Sequence, residues 1–219
     1  MLPINEIYES IQGEATFAGT PSVVIRLQGC SVGCEWCDAK HTWDIDFLRS
    51  VPIRMMTGKT QKLHTFSFMT IEEIIHAVSG FKAQHVVITG GDPCKHNIYV
   101  LTEAILCAGL SCQVETSGSY PIKVHEGTFV TVSPKLDTPS GKDCLDESLD
   151  IADEIKYPVE TQSDIDKLLE RIIPKLDEDA IIWLQPLNQS KSATSLCIRA
   201  ATEHDLLVSI QTHKLIGAR

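Results

Sequence analysis

No uninterrupted hydrophobic run in this 219-residue chain approaches the roughly 20 residues that a bilayer-spanning helix needs, so a soluble protein is expected, with no membrane partner. Basic charge is also scarce. Nineteen lysines and arginines face 29 acidic residues, for a formal charge of −10 at pH 7. A nucleic-acid interface needs a basic face to neutralise phosphates, so nucleic acid is not an expected partner. The carboxylates equally serve to keep a surface soluble. There is no internal repeat and no low-complexity tract. Gly58-Lys-Thr lacks the first glycine of a phosphate-binding loop. No signal-peptide pattern opens the sequence, so a reducing, cytoplasmic setting is expected, which disfavours a disulfide framework for the eight cysteines. The length suits one domain, residues 1–219, with a core of ordinary size.

What the chain does have is Cys30-Ser-Val-Gly-Cys34-Glu-Trp-Cys37, placed just after an apolar stretch. Three thiolates on a short loop can converge on one metal centre. A four-iron cluster ordinarily takes four cysteines, so three leave one iron open to another ligand, and an open position separates reactive from structural metal sites. The competing reading is a structural zinc, with His41 completing a Cys3His set. Cys107, Cys112 and Cys197 sit in apolar patterns and read as small buried hydrophobes. Cys144 lies in a polar segment and receives no role.

Periodicity gives alternating strands and helices. β-Branched runs occur at Val23–Leu27, His85–Thr89, Cys112–Glu115, Thr128–Val132, Glu154–Lys156, Ile181–Leu184 and Leu206–Ile210. Helical patterns lie between them: one from the capping box at Thr70-Ile-Glu-Glu73 to near Gly80, and others at Ile98–Ala108, Asp164–Lys175 and Ala193–Glu203. Residues 44–69 are the least patterned, and Arg54-Met-Met-Thr-Gly-Lys-Thr reads as a mobile, variable insertion. The alternation implies an α/β fold with a parallel sheet, either open or closed into a full or partial barrel. Five polar motifs, Arg26–Gly29, Gly90–Pro93, Glu115–Gly118, Ser133–Lys135 and Gln211–His213, fall at or just past strand C-terminal ends. That edge carries active sites in parallel α/β architectures.

The C-x3-C-x2-C spacing, with Gly90-Gly-Asp-Pro93 about sixty residues later, resembles the radical S-adenosylmethionine (SAM) superfamily. There a [4Fe-4S] cluster chelates SAM and cleaves it, and the Gly-Gly motif meets the methionine end of SAM; here aspartate replaces the commoner glutamate. Pro3–Glu6, Ile11–Glu14, Arg26–Cys30, Cys37–Trp43, Val87–Gly91, Glu115–Gly118, Val132–Lys135 and Gln211–Lys214 together resemble the 7-carboxy-7-deazaguanine synthases. That resemblance implies an abbreviated α/β barrel, typically a homodimer. It implies SAM- and Mg²⁺-dependent ring contraction of 6-carboxy-5,6,7,8-tetrahydropterin with loss of ammonia, within 7-deazapurine (queuosine) biosynthesis. A flavodoxin or similar donor would reduce the cluster.

The same resemblance implies roles for particular residues. Cys30, Cys34 and Cys37 hold the cluster. Trp36, Cys37, Asp38, Gly91, Glu115, Ser117, Ser133, Pro134, Lys135 and Gln185 meet SAM. Ile11, Gln12, Gly13, Glu14, Arg26 and Thr89 bind the pterin, with Arg26 forked onto its carboxylate. His213 reads either as a contact closing the far side or as a structural histidine. The family's magnesium-binding threonine is replaced by Ala39, which has no side-chain oxygen, and Thr42 is not at the matching place. The alternatives are a glycyl-radical-enzyme activase and a zinc-stabilised binding module.

Overall fold

The computed structural model describes residues 1–55 and 64–218. From residue 56 on, the stretch expected to be mobile lies outside the described residues. In chain order the strands are β1 (Leu2–Ile11), β2 (Pro21–Leu27), β3 (Ser67–Met69), β4 (His85–Gly90), β5 (Ser111–Thr116), β6 (Phe129–Val132), β7 (Glu154–Val159), β8 (Ile181–Pro186) and β9 (Leu207–Val208). The helices are α1 (Ile71–Val78), α2 (Tyr99–Cys107), α3 (Asp146–Leu149), α4 (Gln162–Lys167), α5 (Lys191–His204) and α6 (Thr212–Leu215). All nine strands join one sheet in the order β3-β1-β2-β4-β5-β6-β7-β8-β9. From β2 onward every neighbour is parallel; only β1 runs antiparallel, to β2 and to β3. This is a partial α/β barrel. Among the described residues no helix is long and apolar enough to cross a membrane.

Side chains alternate along each strand, which divides the sheet into two chemistries. Val23, Ile25 and Leu27 on β2, Val86 and Ile88 on β4, and Ile155, Tyr157 and Val159 on β7 enter the apolar core with Ile74, Leu101, Ile105, Leu168 and Cys197 from the helices. The opposite set, including Arg26, Thr89, Glu115 and Lys156, lines the interior cavity.

The capping box forms as the sequence implies: Thr70 Oγ1 accepts from Glu73 N at 3.3 Å, and Glu73 Oε2 accepts from Thr70 N at 2.8 Å. α5 begins earlier than expected because Ser190 caps it, its Oγ accepting from Ala193 N at 3.1 Å. The pattern at Asp164–Lys175 starts earlier, at Gln162, and is not one α-helix. It continues as a π-helical turn, Leu168–Ile172, and a 3₁₀ turn, Ile173–Lys175, where Pro174 has no N–H to give. β9 is shorter than expected, because the chain leaves α5 through a left-handed Asp205 (φ 54°) and pairs only at Leu207–Val208. The described residues of the poorly patterned stretch form regular elements. They contribute 3₁₀ turns at Phe47–Arg49 and Ile53–Met55, and β3 pairs with β1. Cys112 and Cys197 are buried as expected, whereas Cys107, the last residue of α2, is exposed.

Candidate active site

β2 ends at Leu27, and the cysteine loop that follows is stitched shut at its base. Gly29 N donates to Thr42 O at 2.6 Å and Cys30 N to Trp43 O at 2.9 Å. Gln28 is fully buried; its Nε2 donates to the carbonyls of His41 (3.1 Å) and Asp44 (2.7 Å), and its Oε1 accepts from Asn5 at 2.8 Å. The end of β4 is sewn to the same base, with Gly91 N on Leu27 O at 3.0 Å and Asp92 N on Gly29 O at 2.8 Å. This contact explains the paired glycines. A Cβ on Gly90 would lie 2.4 Å from Leu27 N, and one on Gly91 would lie 2.3 Å from Gly29 O. The close approach they permit is to protein backbone as well as to the cavity both line. Asp92 is almost fully buried. Its carboxylate accepts from Cys94 N (3.0 Å), Thr116 Oγ1 (2.8 Å), Ser117 N (3.1 Å) and Ser117 Oγ, so it fastens the end of β5 to the cysteine loop.

Cys30, Cys34 and Cys37 face one cavity of about 450 Å³, within the ordinary range for small-molecule sites. Cys30 Sγ accepts from Val32 N at 3.5 Å and Cys37 Sγ from Ala39 N at 3.4 Å. Burial pushes the Cys30 thiol up to about 11 against that N–H, with Asp92 and the neighbouring cysteines adding to the rise. Burial raises Cys34 too, against nearby Lys135. These thiols become thiolates when a positive metal centre takes them. Among the described residues no three His, Cys, Asp or Glu side chains gather closely enough to hold a single ion. A tetrahedral zinc needs sulfurs about 3.8 Å apart, from Zn–S bonds of about 2.3 Å, so the Cys3His set with His41 is not assembled. Three thiols lining one cavity suit a cluster that brings several metal atoms of its own.

Almost all the expected contacts line this cavity. Trp36, Asp38, Gly91, Ser117, Ser133 and Lys135 line it together with Ile11, Gln12, Gly13, Glu14, Arg26, Thr89, Glu115, Gln185 and His213. Pro134 is the exception, lining a smaller depression with Trp36 and Tyr157. Lys135 Nζ donates to Ser133 O and Oγ at 2.7 and 2.6 Å, and burial lowers its pKa. Gln12 has a fixed orientation. Its Nε2 donates to Gln113 Oε1 (3.0 Å) and Glu115 Oε1 (3.2 Å), and its Oε1 accepts from Gly13 N (2.8 Å). Arg26 first meets a protein partner. Glu6 is its cross-strand neighbour, and Arg26 Nε donates to Glu6 Oε1 at 2.8 Å while Nη2 donates to Tyr8 Oη at 3.1 Å.

α6 closes the far side. Thr212 N donates to Gly13 O at 2.9 Å and Gln211 Nε2 to Glu14 Oε1 at 2.6 Å. The His213 ring lies directly on Gly13, where a Cβ would be 2.0 Å from Nδ1. The histidine is therefore a wall of the cavity, and burial lowers its pKa against the nearby carboxylate of Glu14. Ala39 is buried and lines the cavity. Thr42 is fully buried, and its hydroxyl donates to Ala39 O at 2.7 Å, so it does not substitute for the missing threonine.

The pattern of the radical SAM superfamily matches residues 24–178. The 7-carboxy-7-deazaguanine synthase of Escherichia coli K12 is 42% identical over 218 residues, spanning 98% of both chains. This chain belongs to the 7-carboxy-7-deazaguanine synthase family. The synthase of Buchnera aphidicola is 38% identical over 99% of both chains. The crystal structure of QueE from E. coli superposes with a TM-score of 0.92 at 42% identity, covering 97% of this chain and 94% of that one.

Within this family frame, sequence reasoning missed three residues. Glu6 and Tyr8 lie on β1, a strand whose Pro3, Asn5 and Glu6 hide its periodicity. Lys156 lies on a strand that was recognised, yet it received no role. The signal was present: in Glu154-Ile-Lys-Tyr157 charged residues alternate with apolar ones, which in a parallel strand points them into the barrel.

Proposed function

We propose that this protein contracts the ring of 6-carboxy-5,6,7,8-tetrahydropterin to 7-carboxy-7-deazaguanine, releasing ammonia, by radical SAM chemistry on the route to 7-deazapurines such as queuosine. Its chief support is family membership across almost the whole chain, joined to one cavity that gathers the expected pterin residues and the three loop cysteines. A cavity of about 450 Å³ has the size of a small-molecule site, and family membership across almost the whole chain favours the synthase over a glycyl-radical activase. The test is anaerobic incubation of the reconstituted protein with the carboxy-tetrahydropterin, SAM and a reductant. Formation of the deazaguanine is expected, and its absence from a protein with full iron content would sink the reading.

In this reading Cys30, Cys34 and Cys37 would hold the [4Fe-4S] cluster, and Trp36, Cys37, Asp38, Gly91, Glu115, Ser117, Ser133, Lys135 and Gln185 would meet SAM, with Pro134 beside the cavity rather than in it. When bound, the cluster and SAM supply the electron and the carbon radical that begin the rearrangement. The protein supplies orientation. Ser117 is aimed by Asp92, and Lys135 stands close enough to Cys34 to favour its thiolate against burial. Gln12, with both amide hydrogens engaged by the protein, turns only acceptor capacity to the pterin. Glu14 accepts the ring's N–H donors, Arg26 meets the substrate carboxylate, and Thr89 and Ile11 flank them. His213 on Gly13 shuts out water. The same proposal includes a flavodoxin-type electron donor, a homodimer, a cytoplasmic setting, Mg²⁺, and one domain with a variable stretch at 44–69.

Two outcomes follow from individual side chains. Arg26→Lys can keep the ion pair with Glu6 but loses the planar fork. Pterin affinity should fall on the order of tenfold, the loss of one charge-assisted hydrogen bond, with iron content unchanged. An unaltered binding titration would show that Arg26 serves Glu6 and Tyr8 alone. Ala39→Thr restores a side-chain oxygen to a position that now offers a methyl. Mg²⁺ keeps most of its waters and takes few protein ligands, so activity of the parent should still respond to the ion, but with a higher half-saturating concentration than the variant. Identical magnesium titrations after chelation would refute a metal-ligand role for this position.

A further inference from the structure

Glu14 and Glu115 reach the cavity from opposite sides and meet on one ammonium. Lys156 Nζ lies 2.8 Å from Glu115 Oε1 and donates also to Glu14 Oε2. The three side chains are only 7%, 11% and 20% exposed for Lys156, Glu14 and Glu115. The other bonds are complementary. Gln211 holds Glu14 Oε1, while Gln12 donates to Glu115 Oε1 and Thr89 to Glu115 Oε2 at 3.4 Å. Two carboxylate oxygens sharing one donor are no more than about 6 Å apart. Without that cation, two buried carboxylates so close cannot both stay charged, and one takes a proton. A protonated carboxyl donates where it previously accepted, which reverses its match to an N–H-bearing ring edge.

We propose that Lys156 is the positioning residue of this site, holding Glu14 and Glu115 both ionised and at a fixed separation so that Glu14 presents acceptor oxygens to the N–H edge of the bound ring. The proposal rests on the pterin reading above. Burial alone would push Glu14 up and Lys156 down. The pairing outweighs it in both, so Glu14 sits below the usual carboxylate range and Lys156 above that of lysine. Two further charged groups act on the trio, Lys135 on Lys156 and His213 on both glutamates, while Glu154, two residues earlier on β7, is held by Thr131 and Trp183.

Lys156→Met keeps most of the volume and removes the charge. In ligand-free protein, carbon-13 carboxyl NMR should find both glutamates ionised at pH 7 in the parent and one protonated in the variant. 6-Carboxypterin, a fluorescent oxidised analogue, should bind the variant ten- to a hundredfold more weakly at pH 7. The deficit should shrink as pH rises and the shared proton leaves, while Lys156→Arg stays close to the parent and iron content is unchanged in both. Lys135 and His213 are themselves coupled to this trio, so the carboxyl signals of Glu14 and Glu115, read directly, are the deciding readout. Two ionised glutamates in Lys156→Met, with parental affinity, would overturn the proposal. If that variant fails to fold, the double variant Lys156→Met with Glu115→Gln should fold and keep Glu14 ionised at pH 7; a protonated Glu14 there, or no recovery of folding, also overturns it. Failure of the pterin reading looks different: the parent then binds no 6-carboxypterin at any pH, while the carboxyl titration still decides whether Lys156 sets the charge of the pair.

Discussion

Cys34→Ala is expected to lose the iron chromophore and to reduce turnover to background, and the same is expected of Cys30→Ala and Cys37→Ala. A three-cysteine cluster site has no spare protein ligand, and the remaining cysteines cannot step in. Burial pushes the thiols of Cys94, Cys112 and Cys144 up to about 12 and that of Cys197 to about 11. None of the four lines the cavity. Cys144 Sγ packs against Gly118, where a Cβ would come within 2.5 Å of it. Controls separate chemistry from packing. Cys107→Ala, at an exposed position, should be neutral, and Cys197→Ala, fully buried in α5, should cost about 1 kcal/mol of stability with the cluster intact. Iron and sulfide analysis of the reconstituted variants checks all five. A fully active Cys34→Ala protein would end the cluster assignment.

Gly91→Ala is expected to be nearly as damaging, through geometry rather than chemistry. Its new methyl would lie 2.3 Å from Gly29 O, 2.6 Å from Gly29 C and 3.1 Å from Cys30 N. All three are backbone atoms, which cannot rotate away, so the end of β4 and the base of the cysteine loop must part. A loss of about 3 kcal/mol of stability, at the upper end for overpacking, is expected, together with poor cluster loading. Gly33→Ala is the comparison inside the same loop: φ is +79° with nothing within 4 Å of the new methyl, so only the left-handed conformation costs, about 1–2 kcal/mol. Thermal denaturation with iron counting distinguishes the two. Parental iron content in Gly91→Ala would show that the loop is not held through this contact.

Much of the site was legible because its residues advertise themselves locally. The cysteine spacing, the double glycine and the polar motifs at strand ends are short-range patterns, and parallel strands deliver their C-terminal ends to one rim. β1 was not legible. Its residues are buried through almost their whole length, so Asn5 and Glu6 sit among apolar neighbours without the alternation of a half-exposed strand. Glu6 makes sense only beside Arg26, twenty residues later. Lys156 illustrates the same limit more sharply. Its partners lie 142 and 41 residues away in sequence, and no local pattern encodes that meeting. Asp92 was recognised as a carboxylate of the motif, but its four protein donors emerged only from the fold. The π-helical turn after α4 also escaped, because the apolar spacing of Ile165, Leu168, Leu169 and Ile172 reads as an ordinary helix.

The central claim is that this cavity performs the ring contraction, and the measurement that meets it most directly is the stoichiometry of anaerobic turnover. Reconstituted protein is incubated with 6-carboxy-5,6,7,8-tetrahydropterin, and 7-carboxy-7-deazaguanine and ammonia are quantified in the same samples. The two should appear in equal amounts, only when SAM and reductant are both present, and not at all with Cys34→Ala. A protein with full iron content that consumes SAM in the presence of the pterin, yet yields neither product, would contradict the account.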